Sequence, residues 1–143
     1  IDLTSTRFSL ANNTEIHGEA GDDVLWAASG NDILHGGEGN DSIFASSGND
    51  IVSGGLGADT FQFTATSDID VLLDFVAANG DELHFYYQSG ADTDMSDLSI
   101  NAGVMTWDTG DNGNVVTIDM SATMDLDALT ADLQNNIVFH EIV

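Results

Sequence analysis

Five aspartates recur at a fixed step: Asp23, Asp32, Asp41, Asp50 and Asp59. Each follows a glycine by two positions (Gly21, Gly30, Gly39, Gly48, Gly57) and precedes an apolar residue by two (Leu25, Leu34, Ile43, Val52, Phe61). Cut into nines from Gly18 to Gln62, the chain reads GEAGDDVLW, AASGNDILH, GGEGNDSIF, ASSGNDIVS and GGLGADTFQ, in one frame with no insertion. A fixed short period marks a repeat architecture, in which each unit buries its apolar face only by stacking on neighbours. Carboxylates on such a period come together in rows. Rows of hard oxygen donors suit a hard divalent cation.

The repeat itself says which elements must position those aspartates. Positions 1 to 6 are mostly Gly, Ser, Asn and Asp, which accept tight turns and positive φ. Positions 7 to 9 are too few for a helix and form a short strand with only position 8 facing inward. Two repeats make one coil, so repeats n and n+2 stack as parallel strands about 4.8 Å apart. Burying each position-8 side chain stabilises by roughly 1.5–3 kcal/mol, and the small residues add little, so the core is thin. Stacking places Asp23, Asp41 and Asp59 on one edge and Asp32 and Asp50 on the other. Two carboxylates 4 Å apart repel by about 4 kcal/mol at an effective dielectric near 20. Ca²⁺, with its six to eight oxygen ligands and flexible geometry, removes that repulsion. The alternative, aspartates that serve only Asx-turns, leaves five in-frame copies without a reason.

These nonapeptides resemble the RTX (repeats-in-toxin) family, through the pattern GGxGxDxUx. The resemblance implies a parallel β-roll with Ca²⁺ between stacked turns. It implies as ligands the position-6 aspartates Asp23, Asp32, Asp41, Asp50 and Asp59, with backbone carbonyls at positions 1 and 3. Those carbonyls belong to Gly18, Ala20, Gly36, Glu38, Gly54 and Leu56 on one edge, and to Ala27, Ser29, Ala45 and Ser47 on the other. In 63–71, FTATSDIDV, Asp68 keeps position 6 while Asp70 breaks the apolar slot, so Asp68 is expected to end the Asp32–Asp50 edge. About three to five ions are expected in all, with sites between Asp23 and Asp41, Asp41 and Asp59, Asp32 and Asp50, and Asp50 and Asp68. Repeats two and four begin with Ala in place of Gly-Gly, and strain or weaker binding is expected at their turns.

Composition sets further bounds. In 143 residues there are 25 acidic side chains against one basic residue, Arg7, for a net charge of −24. That balance excludes nucleic acid as a partner and disfavours anionic membranes. It also opposes compaction until counter-ions bind. No Cys is present, so no disulfide can supplement the thin core. No stretch approaches the roughly 20 apolar residues of a membrane span. No signal peptide is visible and Ile1 is not a start residue, so the chain reads as a fragment of a larger protein.

Around the repeats the pattern changes. Residues 1–17 read as a cap and degenerate repeat, with Ile16 in the apolar slot and Thr14 where Asp is expected. DIDVLLDF at 68–75 reads as a buried strand, and NGDELHFYY at 79–87 as a turn and strand. Residues 104–120 read as a hairpin around Asn112-Gly113. Its loop, DTGDNGN, holds carboxylates but lacks EF-hand spacing. Leu126, Leu129 and Leu133 lie at helical spacing in 125–135, and 136–143 reads as a last strand. The ending Glu141-Ile142-Val143 resembles the tail of serralysin-type proteases and other type I secretion substrates, although no HExxH occurs.

Other chemistry finds little footing. No GxSxG and no phosphate loop are present. His17 and His35 are 18 apart and should sit side by side, as a solvent-facing pair or a catch for a transition metal. Trp26 and Phe44, also 18 apart, should stack, either exposed to a sugar or partner chain or covered by the C-terminal segment. The expectation is an all-β chain: cap 1–17, parallel β-roll (nonapeptide β-solenoid) 18–74, and a β-rich C-terminal cap 75–143 with one short helix. By resemblance it is a non-catalytic, calcium-binding module that folds on Ca²⁺ after type I secretion of a larger extracellular bacterial protein. The competing reading is an extracellular recognition module for polysaccharide or protein.

Overall fold

The computed structural model describes residues 13–64, 69–88, 98–108, 115–120 and 135–142. The repeats fold as expected into alternating strands of two parallel sheets. β1 (Glu15–Ala20), β3 (Ile33–Glu38), β5 (Ile51–Leu56) and β7 (Ile69–Leu72) lie on one side. β2 (Val24–Trp26), β4 (Ser42–Ala45), β6 (Thr60–Thr64) and β8 (Glu82–Gln88) lie on the other. Register follows the 18-residue coil: Leu34 pairs with Val52, and Leu25 with Ile43. Because side chains alternate along a strand, position 8 points inward throughout. Leu25, Leu34, Ile43, Val52 and Phe61 are all buried.

The coil continues past residue 74, where the sequence placed a boundary. β7 pairs with β5 and β8 with β6, both parallel. Leu72 and Leu83 fill the apolar slot of these last two turns. Beyond them the sheets grow by different means. β9 (Leu98–Asn101), β10 (Val104–Asp108) and β11 (Val115–Asp119) extend the first sheet, in the order β1-β3-β5-β7-β11-β10-β9. β10 and β11 are antiparallel, Val104 opposite Asp119, as the hairpin reading predicts. β12 (Ile137–Ile142) is the expected final strand and adds parallel to β8. The helix expected over 125–135 lies outside the described residues except for Asn135, which has helical backbone with Asn136. The hairpin loop of 109–114 also lies outside them.

The core is thin in the first coils and thick at the far end. Single aliphatic side chains fill the early coils, whereas Phe61, Phe63, Phe75, Phe85 and Trp107 are all buried where the C-terminal strands join. Phe85 stacks on Phe63 at 5.9 Å and packs on Trp107 at 5.0 Å between ring centroids. Aromatic side chains bury the largest areas and gain further from such contacts. The last turns are therefore better anchored than the first.

Candidate metal centre

Each turn between strands ends on its aspartate, and the aspartates are stacked and buried. Asp32, Asp41, Asp50 and Asp59 are almost wholly inaccessible to solvent. On one edge the amide N–H of Asp23 donates to Oδ1 of Asp41 (2.8 Å), that of Asp41 to Asp59 (2.9 Å), and that of Asp59 to Asp81 (3.0 Å). On the other edge Thr14 donates to Asp32 (2.7 Å), Asp32 to Asp50 (2.7 Å) and Asp50 to Asp70 (2.9 Å). A second ladder runs beside each with the opposite sense. The position-5 side chains of Asp22, Asn31, Asn40 and Asn49 accept from the amide of the next coil, as in Asn49 N–H to Asn31 Oδ1 at 3.0 Å.

From Asp32 onward, one oxygen per aspartate is thus used in the ladder. The other differs. Oδ2 of Asp23, Asp32 and Asp41 is buried and accepts no hydrogen bond. A buried carboxylate oxygen without a donor is costly. The chain has a single basic residue, Arg7, to set against 25 acidic ones, so side-chain cations cannot neutralise these rows. Burial is the main cause that raises the Asp41 and Asp59 carboxyls above the ordinary range, opposed by the amide each accepts and reinforced by neighbouring aspartates. A cation placed against the free oxygens relieves all of these costs.

The backbone supplies further oxygens at the same place. Gly36 has no side chain where a Cβ would collide with the Asp41 carboxylate and crowd the Gly54 carbonyl oxygen. Gly18 stands likewise against the Gly36 carbonyl and Asp23 Oδ2, and Gly54 against Asp59. Carboxylate and position-1 carbonyl therefore converge between adjacent coils on the Gly-Gly edge. Position 3 stacks in register there, Ala20 with Glu38 and Glu38 with Leu56. The Glu38 and Leu56 carbonyls accept from the amides of Gly21 (2.7 Å) and Gly39 (2.8 Å). A carbonyl keeps a second lone pair for another partner. On the Ala edge Ser29 bridges Ser47, whose carbonyl accepts from Gly30 at 3.0 Å. Ala27 lies at the start of the same turn, its amide bonded to the Phe44 carbonyl, and Ala45 is buried at the end of β4. The residues present fit a hard cation held by oxygen.

Two expectations need correction, and two residues of the ladders were not foreseen. Asp70, not Asp68, stands beneath Asp50: Ile51 pairs with Val71, twenty residues on, and Leu72 takes the apolar slot. Asp68 lies outside the described residues. The sequence signal was the triplet Asp-x-apolar, which recurs at Asp70-Val71-Leu72 and Asp81-Glu82-Leu83 after turns too long for the frame. Asp81 and Asp74 were missed, and both close a stack. Asp81 accepts from Asp59 on Oδ1 and from Val76 on Oδ2 (2.7 Å), so both oxygens are engaged. Asp74 accepts from the amides of Gly54 and Gly55. Finally, the strain is not at the Ala repeats. Position 2 is left-handed on the Gly-Gly edge only, at Glu19 (φ 79°), Gly37 (φ 121°) and Gly55 (φ 104°), so Glu19 is the residue under strain.

Comparison with known proteins agrees with this geometry. The pattern of the RTX calcium-binding nonapeptide repeat matches residues 11–43 and 26–61, in four copies. No curated protein matches the chain. The fold is similar to the solution structure of the AlgE6R3 subunit of the mannuronan C5-epimerase from Azotobacter vinelandii. That match has 26% identity and a TM-score of 0.59, and covers 89% of this chain and 78% of the other. The nonapeptides of residues 11–61 are RTX calcium-binding repeats, and the coils they build are a parallel β-roll.

Proposed function

We propose that this chain is a calcium-dependent folding module, the C-terminal part of a larger bacterial protein exported by type I secretion and working outside the cell. The observation that carries this reading is the row of buried, undonated Oδ2 atoms at Asp23, Asp32 and Asp41. Without cations the roll confines like charges around a thin core, and each ordered residue costs about 1–2 kcal/mol of backbone entropy. Ion binding then supplies folding free energy. In a calcium-poor cytosol the chain stays extended and threadable; outside, it folds and cannot return. Its role in the parent protein is structural and not catalytic. Asp23 with Asp41, Asp41 with Asp59, Asp32 with Asp50 and Asp50 with Asp70 would hold the ions. Circular dichroism in EGTA and then in millimolar Ca²⁺ tests it. The expected result is a roll largely unfolded in chelator that gains strand signal with calcium. A roll already formed in EGTA would defeat the proposal.

A second reading, recognition of a polysaccharide, has one specific observation in its favour. Trp26 and Phe44 stack at 4.7 Å on the outer face of the second sheet, with Trp26 64% exposed. The similar epimerase subunit belongs to an enzyme named for a polysaccharide, mannuronan. A glycan array with the calcium-loaded chain and its Trp26→Ala variant separates the two readings.

A further inference from the structure

The outer face of the first sheet carries a donor set unlike that of the aspartate ladders. His17 and His35 are paired in register on β1 and β3, and Ser53 follows on β5. The 18-residue coil stacks position 9 of successive repeats as surely as it stacks the aspartates. The imidazoles lie 4.9 Å apart between centroids, tilted by 31°. Glu15, two residues before His17 and therefore on the same face of β1, places Oε1 2.9 Å from His17 Nε2. The ligand atoms of Glu15, His17 and His35 all lie within 4.8 Å of one another. Nδ1 of His35 is 2.6 Å from the Ser53 hydroxyl.

We propose that Glu15, His17 and His35 form a second kind of metal site, one that takes a borderline transition-metal dication such as Zn²⁺ and leaves Ca²⁺ to the ladders. Two imidazoles and a carboxylate suit Zn²⁺, Ni²⁺ or Cu²⁺, whereas Ca²⁺ takes oxygen. Three protein ligands plus water complete a tetrahedral zinc shell. The ion takes the place of the proton between His17 Nε2 and Glu15 Oε1, whose separation is already close to the roughly 3.3 Å edge of a tetrahedron with bonds of about 2.0 Å. Ser53 acts at one remove. Accepting from Nδ1–H of His35, its hydroxyl holds the tautomer whose Nε2 carries the lone pair, the orienting role that partners of metal-bound histidines play. The net charge of −24 raises the local concentration of any cation.

The chain's other histidine pair differs. His140 Nε2 faces His84 Nδ1 at 3.0 Å, and His84 Nε2 faces Glu82 at 2.8 Å, so both nitrogens of His84 are engaged in a linear hydrogen-bonded chain. Those donors point at one another and not at a common centre.

The test is a calorimetric titration of the whole chain with ZnCl₂ in excess Ca²⁺, so that the ladders are filled before zinc is added. One Zn²⁺ per chain is expected. His17→Gln and His35→Gln should each weaken it at least about tenfold, and Ser53→Ala by several-fold. The double variant His84→Gln/His140→Gln should bind as the parent does. Circular dichroism of each variant in Ca²⁺ keeps loss of fold distinct from loss of ligand. Ring resonances of His17 and His35 should shift on zinc addition while those of His84 and His140 stay. Zinc binding that survives in His17→Gln/His35→Gln, or that is lost only with His84 and His140, overturns the assignment, as does no binding at about 100 µM zinc. This outcome is independent of the calcium reading, which stands or falls on the EGTA experiment.

Discussion

The amide N–H of Asp50 donates to the Asp70 carboxylate at 2.9 Å, so the second aspartate ladder ends on a residue of β7 itself. Asp70 is buried, and removing its carboxylate leaves the Asp50 amide without that acceptor. Asp70→Ala should therefore cost about 1–3 kcal/mol of stability in calcium, and weaken the ion expected beside Asp50. The same change at Asp68, two residues away, should cost less. Chemical denaturation in calcium compares the two, and a larger loss at Asp68 would restore the nine-residue frame.

Asp41 stands between two intact turns, bonded through Oδ1 to Asp23 and through its own amide to Asp59. Asp23 has the weaker position at the start of the stack. Asp41→Ala should therefore lower calcium stoichiometry and affinity more than Asp23→Ala in a calorimetric titration. Equal losses would mean that the turns do not share ions.

Acid should act in opposite directions on the calcium-free and calcium-loaded chains. Burial first, with the neighbouring carboxylates in support and the accepted amides opposed, raises the folded-state pKa of Asp41, Asp59 and Asp81. A group whose folded pKa exceeds its unfolded value of about 3.9 binds more protons folded than unfolded between the two. Stability in EGTA should thus rise as pH falls from neutral through the folded pKa values, and level off below about 3.9. With calcium the sign reverses, because protons compete for the same oxygens. Circular dichroism from pH 7 down to about 4, with and without calcium, reads both slopes. A calcium-free chain that loses structure on acidification would contradict the burial argument.

Glu19 holds a left-handed backbone that suits glycine, at the position occupied by Gly37 and Gly55 in the coils above. A left-handed non-glycine costs roughly 1–2 kcal/mol, and glycine's extra unfolded-state freedom returns about 0.5–1 of it. Glu19→Gly should raise stability in calcium by about 0.5–1 kcal/mol. Gly37→Ala should do far more harm, because its Cβ would run into the Glu19 carbonyl. Thermal melts in calcium decide it; a neutral Gly37→Ala would show that the turn adapts.

The sequence by itself determined the roll. A nine-residue period is a local property, and once two repeats close a coil it dictates which side chains stack: Asp23 on Asp41, Leu34 on Val52, His17 on His35, Trp26 on Phe44. Only the tertiary structure decided what happens where the period lengthens. The coil grows from 18 residues to 20 at Asp50–Asp70 and 22 at Asp59–Asp81. Counting then fails, and strand pairing across the coil selects which aspartate enters the ladder. The capping of the stack by Asp74 and Asp81, the parallel addition of β12 to β8 and the antiparallel extension through β9–β11 are contacts between distant segments. No short-range pattern encodes them; they follow from burying Phe61, Phe63, Phe85 and Trp107 together and from satisfying the last open amides of the roll.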